Sequence, residues 1–147
     1  MSGGSFLDSN ILVYTDDAGS PAKQKAAVAL VAESMRTRAG VVSLQVLQEY
    51  FAVVTRELGV DAVTARAKVE LLGAFNVAPV DIDDVLAAID LHRLHQVSFW
   101  DALIIRSAQQ ARCGRIYSED LQHGRRFDGV EIMNPFLGLG PARRLKR

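Results

Sequence analysis

The chain has 147 residues, the length of one ordinary domain and enough to bury a core without disulfide staples, and its 49% hydrophobic and 23% charged content is that of a soluble globular protein. A single cysteine, Cys113, excludes an internal disulfide, and neither a membrane-length apolar run nor a basic-then-apolar leader is present, so a reducing cytoplasm is the expected compartment and no membrane is involved. The net charge of zero conceals an asymmetry: residues 1–105 hold 8 Lys or Arg against 13 Asp or Glu, and residues 106–147 hold 9 against 4.

MSGGS at 1–5 reads as a flexible N-terminus, residues 6–137 as one folded domain, and 138–147 as a basic tail. SFLDSNILVY predicts a short strand with Asp8 inside it, flanked by Phe6, Leu7, Ile11 and Leu12. Ser20-Pro21 then opens an Ala-rich helix to about Arg38, which Gly40 breaks before a short strand, Val41-Val42-Ser43. LQVLQEYFAVVTREL has helical spacing, with Leu47, Tyr50, Phe51, Val54 and Leu58 on one apolar face. Gly59 ends it, DAVTARAKVELLGAF forms the next helix, and NVAPV carries a strand. Asp81 caps a helix to about His95, and Ser98 or Phe99 introduces WDALIIRSAQQARC, which Gly114 stops. RIYS is a strand, EDLQHGRRFDG a loop and VEIMN a last strand. The alternation predicts an α/β fold, a three-layer α/β/α sandwich with a central parallel sheet.

Three carboxylates stand in apolar company: Asp8, Glu49 among Val46, Ala52 and Val53, and Asp101 heading the stripe of Ile104, Ile105 and Ala108. Asp120 follows RIYS just past its carboxyl end, the edge at which open parallel sheets bind ligands. Half-buried anions are costly unless compensated, and four converging ones would repel each other. A divalent cation removes that conflict, and an all-carboxylate set suits Mg²⁺ or Mn²⁺. Each acid also has an ordinary reading: Asp101 as a helix cap, Glu49 as a solvated residue beside the apolar face, Asp120 as a turn acid. Asp8 is the hardest to explain so, because strands seldom carry Asp internally.

FLDSNILVY, LQEYF, SFWDALI and YSEDLQHG, in this order and followed by GVEIMNPF, resemble the PIN-domain family and in particular its VapC-type toxins. The resemblance runs from Phe6 to about Phe136 and makes 6–137 a nuclease domain. It implies a parallel α/β/α sandwich whose acids cluster at one edge, bind Mg²⁺ or Mn²⁺ and cleave RNA. By position, Asp8, Glu49, Asp101 and Asp120 are the acidic set, Asn10 and Ser118 the polar positions around the metal, and Ser43 a residue that helps order it. It further implies an RNA substrate such as tRNA, a cognate antitoxin whose tail crosses the acidic site, and a homodimer. Many members carry another acid two places beyond the one matching Asp120; here Gln122 stands there, with Glu119 as the nearest substitute.

His123, Arg125 and Arg126 follow the Asp120 loop and are candidate contacts to RNA phosphates. His92 and His95 lack a third ligand at zinc spacing, Trp100 reads as a packed ring, and Cys113 as an inert small hydrophobe. Two other readings compete. One is a PIN-like RNA- or protein-binding module with a degenerate metal centre, supported by Gln122. The other is a phosphoryl-transfer domain of the haloacid-dehalogenase type, which wants a second Asp where Asn10 stands.

Overall fold

The computed structural model describes residues 3–142, so the ends of the expected N-terminal segment and basic tail, residues 1–2 and 143–147, lie outside the described residues. β1 (Ser5–Leu7) begins inside the stretch expected to be a flexible leader, because the Ser5 N–H donates to the Ala39 carbonyl and starts a sheet. Next come α1 (Ser9–Tyr14), α2 (Pro21–Arg36), β2 (Gly40–Ser43), α3 (Leu44–Arg56), α4 (Ala62–Leu72), β3 (Asn76–Ala78) and α5 (Ile82–His95). The chain then forms α6 (Phe99–Gln110), β4 (Arg115–Tyr117), β5 (Arg126–Phe127) and β6 (Val130–Met133).

The strands form one six-stranded sheet in the order β3-β2-β1-β4-β6-β5. From β1 the chain moves outward through β2 to β3, each time by helices, so right-handed crossovers lay α1–α4 on one face. The return from β3 to β4 runs the other way, which puts α5 and α6 on the opposite face and completes three layers. Order therefore reverses between β1 and β4, and the carboxyl ends of these two strands form the topological switch point at which open sheets of this kind bind ligands.

Five strands are parallel; β5 is not, and pairs antiparallel with β6. The loop expected between β4 and β6 thus closes as a hairpin. Its turn is Asp128-Gly129, with φ of 46° and 86°, the left-handed pair that tight hairpins require.

The interior is built by Phe6, Leu7, Ile11, Tyr50, Ile104 and Ile116, all essentially without solvent contact. The expected α3 face is realised at Leu47, Tyr50 and Val54, while Phe51 stays 37% exposed at its margin. Gly40 is fixed by close approach, since a Cβ there would stand 2.4 Å from the Phe75 ring. Asp81 caps α5 as expected, within a full capping box completed by Asp84. Arg106 of α6 reaches Asp84 at 2.8 Å and ties the two helices of that layer. Cys113 is buried, and burial raises its thiol to about 11, so it stays a protonated apolar filler. No helix among the described residues is long and apolar enough to cross a membrane.

Candidate active site

Asp8 does not lie within a strand. β1 ends at Leu7, and Asp8 is the N-cap of α1, with extended backbone and a side chain that accepts from the Ser9 N–H at 2.7 Å. The apolar run that reads as one strand is a three-residue strand followed by a buried one-and-a-half-turn helix, and a run so short has no periodicity to separate the two. This junction sits at the switch point, held to β4 by the Asp8 N–H on the Tyr117 carbonyl.

Asp8, Ser9, Asn10, Ser43 and Ser118 are all fully buried. Asp8 Oδ2 accepts from Ser118 Oγ at 2.8 Å and from Asn10 Nδ2 at 3.2 Å. Ser118 Oγ in turn accepts the N–H groups of Asp120 and Leu121, each at 3.2 Å, and so folds the loop carrying Asp120 back over the end of β4. Asn10 Oδ1 accepts the Glu119 N–H at 3.0 Å. Both Asp120 carboxylate oxygens are shielded from water.

Glu49 joins from α3. Its Oε1 accepts from Ser9 Oγ at 2.9 Å and its Oε2 from Gln45 Nε2 at 3.2 Å. Ser43 caps α3, its Oγ accepting from the Val46 N–H, and so acts on the helix that bears Glu49. Gln45 also donates to the Trp100 carbonyl at 3.2 Å, linking α3 to the first turn of α6. Asp101 stands in that turn and is not the cap: Ser98 is, through its Oγ and the Asp101 N–H.

The structure thus brings Asp8, Glu49 and the Asp120 loop into one hydrogen-bonded network and sets the start of α6, with Asp101, at its rim. The donors are oxygens throughout, which in kind suits a hard divalent cation. Among the described residues, however, no three Asp, Glu, His or Cys side chains stand close enough together to hold a metal ion. Asp8 and Glu49 accept hydrogen bonds from the hydroxyl and amide groups around them.

Glu119 is no substitute for the acid absent at Gln122. It stands in a bend after β4 rather than on an extended segment, and there Lys23 Nζ meets its Oε2 at 2.6 Å and the Tyr14 hydroxyl its Oε1 at 2.6 Å. Of the three candidate RNA contacts, His123 lies at this edge, its Nδ1 accepting the Asn134 N–H. Arg125 donates to the His95 carbonyl, beside the turn into α6, and lies over the Phe127 ring. Arg126 is drawn off along the hairpin to Glu131. Trp100 is not packed away: it is 47% exposed, edge-on to Phe99.

Ser9, Gln45 and Lys23 escape sequence reasoning. Ser9 is hidden by its neighbours Asp8 and Asn10. Gln45 lies one turn before Glu49, a spacing that could have flagged it. Lys23 sits in an Ala-rich helix where a lysine reads as solvated.

The model of the PIN domain family matches residues 5–128. The chain belongs to the PIN domain family. A solved structure of the same fold is that of Mycobacterium tuberculosis VapC20, described as a sarcin-ricin loop cleaving toxin. This PIN domain superposes on it with a TM-score of 0.67 at 24% sequence identity, over 80% of this chain and 90% of that one. Curated protein sequences give no match to the chain.

Proposed function

We propose that this PIN domain is a metal-dependent endoribonuclease, using Mg²⁺ or Mn²⁺, and that it serves as the toxin of a toxin–antitoxin pair. The observation that carries the reading is the Asp8-centred network at the carboxyl ends of β1 and β4, with Glu49, Asp101 and the Asp120 loop around it. Family membership and the fold shared with an RNA-cleaving toxin support it.

Asp8, Glu49, Asp101 and Asp120 are the residues that would hold the ion, after a rearrangement that brings them closer together than they stand here, and the ion when bound would supply a water acidified enough to attack a phosphodiester near neutral pH. The chain's own part is orientation. Ser118 and Asn10 fix one oxygen of Asp8, and Ser9 and Gln45 fix the two oxygens of Glu49. Asp101 is carried in the first turn of α6, whose start Ser98 fixes through the Asp101 N–H. His123 and Arg125 offer donors to RNA phosphates from the loop beside the site, and Arg126 adds positive charge farther along the hairpin. No side-chain nucleophile is required.

The substrate in this reading is RNA, with tRNA or another structured RNA as the class to test first. The partners are a cognate antitoxin whose tail crosses the acids and a second copy in a homodimer, and the compartment is the cytoplasm. The test is RNA cleavage with and without EDTA, together with Asp8→Asn and Asp101→Asn. Loss of cleavage in both variants and in EDTA is expected. Full activity in both folded variants would defeat the reading.

Two observations favour a second reading, an RNA- or protein-binding module with a degenerate metal centre: Gln122 in place of an acid, and no ready set of three ligating side chains among the described residues. Calorimetry with Mg²⁺ or Mn²⁺ separates the two, because only the nuclease reading requires a binding isotherm.

A further inference from the structure

Joined to the acidic network at residue 119 lies a second ionic cluster. Lys23 of α2 is 2% exposed. A lysine ammonium has three hydrogens to donate, and Lys23 has three acceptors around it: Glu119 Oε2, the Tyr14 hydroxyl at 3.3 Å and the Pro141 carbonyl. The Tyr14 hydroxyl passes its own hydrogen to Glu119 Oε1 at 2.6 Å. The ammonium also lies 5.1 Å from the centre of the Tyr14 ring.

A buried ion pair is weak evidence of a contribution to stability, since apolar residues of like size often serve as well. Its value here lies in where Glu119 stands. The Glu119 side chain is held by Lys23 and Tyr14, while its N–H is held by Asn10, the residue that also donates to Asp8. Residue 119 is therefore clamped from both sides, between Ser118 and Asp120. The geometry points to Lys23 and Glu119 as positioning residues that aim the Asp120 loop at Asp8. This rests on the nuclease reading of the acidic edge for its catalytic meaning, but not for its effect on the loop.

Lys23→Met leaves Glu119 a buried carboxylate without its cation, so residue 119 swings toward water and takes Asp120 with it. Lys23→Met/Glu119→Gln removes both charges yet keeps an acceptor for Tyr14, so the loop stays in place. Tyr14→Phe is the milder probe should Lys23→Met fail to fold. Two readouts are taken on full-length protein well below its melting temperature: amide hydrogen exchange at residues 119–121, and Mn²⁺ affinity by calorimetry.

In Lys23→Met, and less so in Tyr14→Phe, exchange at 119–121 is expected to rise about tenfold or more while β1 and β2 stay protected. Mn²⁺ affinity is expected to fall about 10- to 100-fold. Both are expected to return to near wild-type values in the double variant. A purely structural pair would lower the melting temperature and leave both readouts of the folded protein unchanged, which would overturn the assignment. Loosened exchange with unaltered Mn²⁺ affinity would overturn it too. Wild-type protein that binds no Mn²⁺ would instead overturn the nuclease reading, and with it the catalytic meaning of the pair.

Discussion

Ser9 Oγ donates to Glu49 Oε1 at 2.9 Å, joining the first turn of α1 to α3 across 40 residues of chain. Ser9 also offers its N–H to Asp8 Oδ1, so one small residue touches two of the four acids. It ties Asp8 and Glu49 to one another.

Ser9→Ala keeps the helix and the Asp8 cap but deletes this bridge. A stability loss of about 1 kcal/mol is expected, the usual worth of one hydrogen bond. RNA cleavage is expected to fall about tenfold or more, because groups that orient ligands are nearly as important as the ligands. Steady-state kinetics beside a urea titration measures both, and wild-type turnover would contradict the bridging role.

The start of α6 depends on Ser98. Ser98→Ala removes the acceptor for the Asp101 N–H and is expected to cost about 1 kcal/mol. The melting temperature is expected to fall by about 2–4 °C. The first turn of α6 loosens with it, so Asp101 loses its place at the rim and cleavage drops. An unshifted melting curve would mean that α6 holds its first turn by packing alone.

Asp84 links stability to pH. Its carboxyl is held below the ordinary carboxylate range, first by the backbone N–H of Asp81 and also by the Arg106 guanidinium. A carboxyl lowered on folding adds stability that is fully present above its unfolded value of about 4 and is lost as the pH falls through its lowered value. Asp84→Asn is therefore expected to be less stable than wild type at pH 7, with the deficit narrowing as the pH drops below about 4. Denaturant midpoints across that range decide it; a constant deficit would contradict the linkage.

Much of the fold was legible because its signals are local. Asp81 and Ser98 cap their helices as their residue types predict, and Pro21 opens α2, although Ser20 before it makes no capping hydrogen bond and α2 ends at Arg36, with Gly40 already the first residue of β2. Asp8 was found for a reason that fails: it is a cap at the strand's end, and its apolar flanks belong to two elements rather than one. Asp128-Gly129 carried a hairpin signal that the polar loop around it obscured. The partners of the acids were mostly out of reach. Asn10 and Ser118 came by resemblance, but Ser9 to Glu49 and Lys23 to Glu119 are meetings across 40 and 96 residues, which nothing in either local segment specifies.

The most direct measurement is an anomalous-difference map from crystals grown with Mn²⁺. A peak bound by Asp8 with at least one of Glu49, Asp101 and Asp120 is expected, with some of the carboxylates turned away from their present hydrogen-bond partners. Full Mn²⁺ occupancy at another surface, with the acids still turned to Ser9, Asn10, Gln45 and Ser118, would contradict it.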